Sequence, residues 1–122
     1  MTNHYDVIVV GGGPGGTTCA ITLGTRNHRV LLVDKEFFPR NKTCGDALSS
    51  CSMNLLRELG LKKVLDNVEH APIHSAILNF LNKRHVILNT PLDQEQGRVC
   101  KRNLLDNELF TKAKEVCDTR QG

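Results

Sequence analysis

The sequence predicts an α/β fold that opens with one βαβ unit, and three observations support this prediction. A β-branched run, Val7–Val10, leads directly into Gly11–Gly16, which reads G-G-G-P-G-G. A helical stretch follows the glycines, and a second apolar run, Val30–Val33, ends on Asp34. The glycines fit G-x-G-x-x-G, and the acid follows at about the 20-residue distance typical of dinucleotide-binding units. We therefore expect a Rossmann-type domain with parallel strands.

Each position of the glycine motif has a physical role in such a unit. Gly11 permits the tight turn off the strand, and Gly13 lets the backbone approach a pyrophosphate. Gly16 allows the helix and the strand to pack closely. The helix N-terminus at Pro14 and Gly15 offers unpaired N–H groups and a partial positive charge to phosphates. A glycine-rich turn without a ligand is the alternative interpretation.

The residues that close the βαβ unit supply a second group of candidates. Asp34 stands at the carboxyl end of the second strand, where an acid can accept hydrogen bonds from a ribose diol. Lys35 follows it and is a further candidate for cofactor binding. A solvated acid at a strand end is the simpler alternative for Asp34. We expect the helix between the strands to end at Asn27, which tolerates a left-handed backbone.

Length and composition indicate one modest domain and exclude several classes of function. The 122 residues carry a net charge of +3, which is too small to imply a nucleic-acid partner. The five cysteines and five histidines show no ligand spacing, so we expect reduced thiols, a cytoplasmic location and no metal site. No apolar stretch approaches the ~20 residues of a membrane span. The first strand is predicted to begin by Tyr5, so we expect no signal peptide before it.

A loop and a helix are predicted after the βαβ unit. Pro, Gly, Asn and Asp mark residues 35–46 as a loop. Ser52 is placed to cap a helix over residues 53–61, in which Leu55, Leu56 and Leu59 form an apolar stripe. Gly60 is its stop signal. We expect that stripe to face the core.

The second half of the chain predicts a β-hairpin, a short strand and a last helix. Residues 73–80 and 85–88 flank a polar turn, which is typical of a hairpin. A strand over residues 98–100 precedes a helix over residues 103–116, with Leu105, Leu109 and Ala113 on one face. Residues 117–122 receive no element. A doubly wound sheet needs further strands, so we expect a partial, truncated domain.

Two of these segments resemble a known family. Residues 38–46 read F-P-R-N-K-T-C-G-D and resemble the F-P-R-x-K-x-C-G-[DEG] signature of geranylgeranyl-reductase-like FAD-dependent oxidoreductases. Residues 99–109 are similar to the V-x-x-R-x-x-[LF]-D-x-x-L stretch of the same proteins. The wider superfamily includes aromatic-ring hydroxylases and flavin-dependent halogenases. The resemblance runs from Tyr5 to about Val116.

The resemblance implies FAD as the cofactor, with its adenosine diphosphate on Gly11–Gly16 and its ribose on Asp34. It also implies further contacts toward the isoalloxazine, from Arg40, Cys44, Gly45, Asp46 and Arg102. Simpler alternatives remain for three of these residues. Arg40 can be a surface cation, Cys44 a small buried hydrophobe, and Asp46 a residue that orders its own turn.

The resemblance further implies a reaction for the complete protein. Reduced flavin would deliver hydride to a carbon–carbon double bond of an isoprenoid chain, with NAD(P)H or another reductant as electron donor. The family's second flavin motif and substrate chamber are absent, so residues 1–122 correspond to the N-terminal portion of the FAD/NAD(P)-binding domain. The catalytic residues and the oligomeric state stay unknown, and association of the full-length protein with a membrane stays open.

Two alternatives to this function are kept. The first is an FAD-dependent monooxygenase or halogenase, which uses the same cofactor to activate oxygen. The second is a catalytically silent, truncated nucleotide-binding module. In every case we expect the 122 residues alone to be inactive.

Overall fold

The computed structural model describes residues 4–44, 46–91 and 94–122. Strands and helices alternate along the first part of the chain, and the α/β prediction is confirmed. The elements are β1 Val7–Val10, α1 Pro14–Gly24, β2 Val30–Asp34, β3 Ala47–Leu48, α2 Ser50–Glu58, α3 Lys62–Asp66, β4 His70–Ile73, β5 Ser75–Asn79, β6 His85–Asn89, β7 Gly97–Cys100, α4 Arg102–Ala113 and β8 Asp118–Gln121.

The main sheet is parallel and has the strand order β1-β2-β8. Val7 of β1 pairs with Val30 of β2, and Leu31 of β2 pairs with Asp118 of β8. The third strand corrects the expectation that residues 117–122 form no element. The reason is composition: Asp-Thr-Arg-Gln shows no apolar pattern, and only pairing with the buried strand β2 makes this segment extended.

Helices α1 and α4 pack together on one face of this sheet. In β1, Val9 packs against the core, whereas Val10 on the other face is 82% exposed. The core combines residues from both helices, from β2 and from the α2–α3 region. Its buried members are Ala20, Ile21, Val30, Leu32, Met53, Leu56, Leu61, Val64, Leu65, Val68, Cys100, Leu105, Leu109, Phe110 and Ala113.

The end of α1 lies three residues earlier than predicted. The helix ends at Gly24, and Asn27 adopts the left-handed conformation (φ +66°) in the turn that follows. Its N–H donates to the Gly24 carbonyl at 3.0 Å. A side chain at Gly24 would overlap the Val116 carbonyl, so close packing with the end of α4 accompanies the early stop. The backbone conformation of Asn27 was predicted correctly and the helix boundary was not.

The cap and the exposed face of α2 also differ from the prediction. Ser49 is the N-cap, and its Oγ accepts from the Ser52 N–H at 3.2 Å. Leu56 is buried, but Leu55 is 54% exposed and lies outside the core. Gly60 has φ +73°, which confirms it as the stop signal. A second sheet, antiparallel with the order β3-β7-β4, lies beside α2.

The hairpin and the last helix are present, but the helix spans Arg102–Ala113 and ends three residues before the predicted end at residue 116. β5 and β6 pair antiparallel, with Ile77 opposite Ile87, and Lys83 adopts φ +62° in their turn. The hairpin is shorter than predicted at its start because Ile73 belongs to β4. Helix α4 begins at Arg102, and its predicted apolar face is buried as expected, at Leu105, Leu109 and Ala113.

The two last glycines of the loop should respond to alanine in opposite ways. A Cβ at Gly16 would overlap the carbonyl oxygen of Gly11, whereas one at Gly15 meets nothing within 4 Å. We expect Gly16→Ala to lower the free energy of unfolding by about 1–3 kcal/mol through overpacking. We expect Gly15→Ala to raise the free energy of unfolding by about 0.4–1 kcal/mol, because alanine reduces the conformational entropy of the unfolded chain. Urea unfolding without cofactor measures both, and equal effects would contradict this account of helix–strand packing.

Candidate functional site

The glycine loop turns sharply after β1 and leads into α1, and its residues 11–13 carry no side chains. Gly11 has φ +106°, a conformation that glycine adopts without strain, and its N–H donates to the Val33 carbonyl at 2.7 Å. Gly13 is the N-cap residue and Pro14 is the first helical residue. The unpaired N–H groups of this first turn attract anions, and α1 has no acidic residue there to oppose them.

A cleft of about 810 Å³ opens between the glycine loop and the loop that follows β2. The charged residues in its lining are three cations and two carboxylates, a formal balance of +1. Most of the lining belongs to segments that the sequence predicted as the site. The full lining is Val10, Gly11, Gly13, Val33, Asp34, Lys35, Glu36, Arg40, Asn41, Lys42 and Gly122.

Asp34 fixes the glycine loop to the end of β2. Its Oδ2 accepts from the Gly12 N–H at 2.6 Å, and its Oδ1 accepts from the Glu36 N–H at 2.9 Å. The carboxylate is largely buried. Asp34 is therefore a hydrogen-bonded acid at the edge of the cleft, and the alternative of a solvated acid is wrong.

Arg40 joins carboxylates from two different elements. Its Nη1 lies 3.3 Å from Asp106 Oδ2 on α4, and its Nη2 lies 3.9 Å from Asp34 Oδ2 on β2. The guanidinium also stands over the Phe38 ring, 4.8 Å from the centroid. Its side chain is only 13% exposed, so the alternative of a surface cation is wrong.

Arg102 and Asp106 form a two-pronged ion pair on successive turns of α4. Nε donates to Oδ1 at 2.8 Å and Nη2 donates to Oδ2 at 3.0 Å, while Asp106 is fully buried. This hydrogen bonding raises the pKa of the Arg102 guanidinium above its ordinary value, so the group stays charged. The motif over residues 99–109 contains Asp106, but sequence reasoning assigned it no role.

The two guanidiniums meet the glycine loop at one residue. A Cβ placed on Gly13 would lie 3.6 Å from Arg40 Nη2 and 3.8 Å from Arg102 Nη2. Two cations from distant parts of the sequence therefore stand beside the N-terminus of α1. Such an arrangement can bind a group with several negatively charged oxygens.

Gly12 has a structural role that sequence reasoning missed. The rings of Phe38 and Phe110 stack with centroids 4.3 Å apart and an interplanar angle of 10°. A Cβ on Gly12 would lie 2.7 Å from the Phe110 ring and 3.1 Å from the Phe38 ring. The loop can approach this aromatic pair only because position 12 lacks a side chain. Neither phenylalanine is near Gly12 in the sequence, so no local sequence pattern could predict this contact.

A smaller cleft of about 370 Å³ is lined by the candidates Cys44, Asp46 and Arg102 and shares Asn41 and Lys42 with the first. Cys44 is exposed there, so the alternative of a buried hydrophobe is wrong. Asp46 adopts φ +57°, and its carbonyl accepts from the Cys100 N–H at 2.8 Å, which joins the end of the loop to β7. Arg102 lines this cleft as well. Gly45 lies outside the described residues.

The pKa of the Cys44 thiol is lowered from its ordinary value. The first cause is a hydrogen bond from the Asp46 backbone N–H, and the second is a hydrogen bond from the Arg102 side chain. Both stabilise the thiolate. By contrast, burial raises the pKa of Cys100.

The described ranges contain no group of three or more His, Cys, Asp or Glu side chains that could hold a metal ion. In the same ranges, no helix has both the length and the apolar character needed to cross a membrane. The five cysteines are all free thiols.

The fold and the cleft together define a Rossmann-type dinucleotide-binding domain. Residues 4–121 match the family model described as FAD binding domain, and the chain belongs to this family. Its cofactor is therefore FAD, as the resemblance implied. The chain is 42% identical over 71 residues to menaquinone reductase of Mycobacterium tuberculosis, a match that covers 57% of this chain and 17% of that protein.

Solved structures extend the likeness to almost the whole chain. A geranylgeranyl bacteriochlorophyll reductase-like protein from Thermoplasma acidophilum superposes with a TM-score of 0.79 at 27% identity, covering 96% of this chain and 30% of that one. The FAD-dependent myxobacterial chondrochloren halogenase gives a TM-score of 0.83 at 26% identity, with coverages of 96% and 28%. The chain thus spans less than a third of each of these relatives. A geranylgeranyl reductase-like protein and an FAD-dependent halogenase are thus among the structures similar to this chain, which confirms the suspected family and its wider superfamily.

The lowered pKa of Cys44 predicts a pH dependence of its alkylation. The thiolate is the reactive form, so a lower pKa means a larger thiolate fraction at neutral pH. We expect the iodoacetamide rate at Cys44, resolved by peptide mass spectrometry, to reach half its maximum at a lower pH in the folded protein than in urea. Arg102→Met should move the folded midpoint upward. A folded midpoint at or above the unfolded one would contradict the assigned hydrogen bonds.

Proposed function

We propose that this chain is the N-terminal FAD-binding segment of an oxidoreductase that reduces carbon–carbon double bonds of isoprenoid chains. The observation that supports the FAD-binding part of this proposal is that the Arg40 and Arg102 guanidiniums both lie beside Gly13, at the N-terminus of α1. The reductase half rests on the F-P-R-x-K-x-C-G-[DEG] resemblance. It is also supported by the likeness to relatives named as a menaquinone reductase and a geranylgeranyl bacteriochlorophyll reductase-like protein.

The described residues fit the adenosine diphosphate part of FAD. Positions 11 and 15 have open space where a Cβ would stand, so a diphosphate can approach the loop backbone. The N–H groups at Gly15 and Gly16 and the two guanidiniums are then its donors. These donors and the cations at the edge of the cleft, Lys35 and Lys42, offset the charge of a diphosphate.

Asp34 is proposed to hold the adenosine ribose. Each of its oxygens already accepts one backbone N–H, from Gly12 and Glu36. An ionised carboxylate has about four lone-pair sites, so acceptors remain for a ribose hydroxyl. In this role Asp34 both shapes the loop and binds the sugar.

The second cleft is proposed to take the part of the cofactor nearer the isoalloxazine. Arg102 borders both the Gly13 region and this cleft, so it can contact the diphosphate and also the part of the cofactor that lies beyond it. Cys44, Gly45 and Asp46 would line the cofactor there. When bound, FAD supplies the redox chemistry, and the chain's own residues supply orientation and charge compensation.

An FAD-dependent halogenase or monooxygenase is the second candidate. The TM-score of 0.83 with the chondrochloren halogenase favours it as strongly as the reductase likeness favours the first. A silent nucleotide-binding module is the third candidate, and it would bind FAD without turnover.

Anaerobic turnover of the full-length protein separates these functions. We expect yellow protein whose flavin, reduced by dithionite or NADPH, is reoxidised by a geranylgeranyl lipid without oxygen, with double bonds saturated one by one in the mass spectrum. Gly13→Val is the flavin-free control: a Cβ there makes only ordinary contacts with the two guanidiniums, and we expect the γ-methyl groups to occupy space that the cofactor needs. Circular dichroism of this variant checks that it folds.

Three outcomes would contradict the proposal. Colourless wild-type protein that takes up no FAD overturns the cofactor assignment. Reoxidation by oxygen alone, with a hydroxylated or halogenated product, supports the second candidate. Substrate turnover by residues 1–122 alone overturns the assignment of this chain as an N-terminal portion.

A further inference from the structure

Helix α4 presents one stripe of side chains to the glycine loop. Arg102, Asp106 and Phe110 are spaced four residues apart, so they lie on one face of the helix. Phe110 stacks on Phe38, which in turn carries the Arg40 guanidinium over its ring. Asp106 contacts both arginines: Arg102 through two hydrogen bonds, and Arg40 through an ion pair of 3.3 Å.

We propose that Asp106 is a positioning residue for the diphosphate-binding arginines, an inference that rests on the proposed function. Its carboxylate is fully buried and has no surface exposed to a ligand. An effect of this side chain on ligand binding is therefore indirect, and Arg40 and Arg102 are the charged groups that it contacts. By holding both, Asp106 keeps two guanidiniums beside Gly13 before the ligand arrives.

The geometry explains why Asp106, and not Asp34, has this function. Asp34 Oδ2 lies 3.9 Å from Arg40 and already accepts the Gly12 N–H at 2.6 Å. Asp106 Oδ2 is nearer to Arg40 and also accepts from Arg102 Nη2. Both guanidiniums share that one oxygen, so removal of its charge weakens the positioning of both at once. Arg40 Nη1 is buried and faces this oxygen as an ion pair, without a hydrogen bond among the described residues, so the charge of Asp106 is what attracts it.

A comparison of ADP and adenosine binding tests this role, with apoprotein of the full-length chain and isothermal titration calorimetry. Asp106→Asn preserves shape and removes the charge. We expect it to weaken ADP binding roughly ten- to a hundredfold, the size of lost hydrogen bonds to charged groups, and to leave adenosine binding unchanged. Glu108→Gln, which removes a carboxylate from the same helix, is the matched control and should change neither.

A double-mutant cycle and a charge-preserving variant strengthen the test. Arg40→Met should cost less ADP affinity in the Asp106→Asn background than in the wild type, because its positioning is already lost. Arg102→Lys keeps the positive charge but cannot form the two-pronged pair with Asp106. Arg102→Lys should also weaken ADP binding and leave adenosine binding unchanged. It takes the place of Asp106→Asn in the test if that variant does not fold.

The inference and the proposed function fail in different ways. Wild-type apoprotein that binds neither ADP nor FAD overturns both. Wild type that binds ADP, together with an Asp106→Asn variant that binds it equally well, overturns only the positioning role. Equal losses for ADP and adenosine also overturn it, because they indicate general damage to the fold. Full ADP affinity in Arg102→Lys overturns the need for the ion pair.

Discussion

The close packing of α4 against the glycine loop is the constraint on which the rest of the site depends. Gly12 lies against the Phe38–Phe110 stack, and a Cβ there would stand 2.7 Å from the Phe110 ring. This contact brings the fully buried Asp106, one turn earlier on the same helix, between Arg40 and Arg102. A buried carboxylate needs such partners, because an unpaired buried charge is strongly destabilising. Packing and charge compensation thus specify one arrangement.

The same constraint connects the two halves of the chain. The loop, α1 and β2 form a local unit, and Asp34 ties that unit together through the Gly12 N–H. Residues 98–122 then return to it: α4 covers α1, and β8 pairs with β2. Cations from both halves reach Gly13. The dinucleotide-binding loop therefore acquires one arginine, Arg40, from the loop that follows β2 and the other, Arg102, from a helix much later in the chain.

Features that depend on local contacts could be predicted from the sequence, whereas features that depend on distant contacts could not. The G-x-G-x-x-G loop and Asp34 were predictable because turn geometry and spacing are local properties. Arg40 and Arg102 were reached only through the family resemblance, since nothing near them in sequence shows that they meet. Asp106 and Gly12 were missed because the Asp106–Arg40 and Gly12–Phe110 contacts join residues far apart in the sequence. Strand β8 was missed for a similar reason, because pairing with β2, and not its polar composition, makes it a strand.

A crystal structure of the full-length protein with FAD would show whether the two arginines and the first turn of α1 hold the diphosphate. We expect the diphosphate at the N-terminus of α1, within hydrogen-bond distance of the Gly15 and Gly16 N–H groups and of both Arg40 and Arg102. We also expect Asp106 to stay buried between the two guanidiniums, with no contact to the cofactor. A diphosphate bound away from Gly13, or arginines that leave Asp106 when FAD binds, would contradict this arrangement.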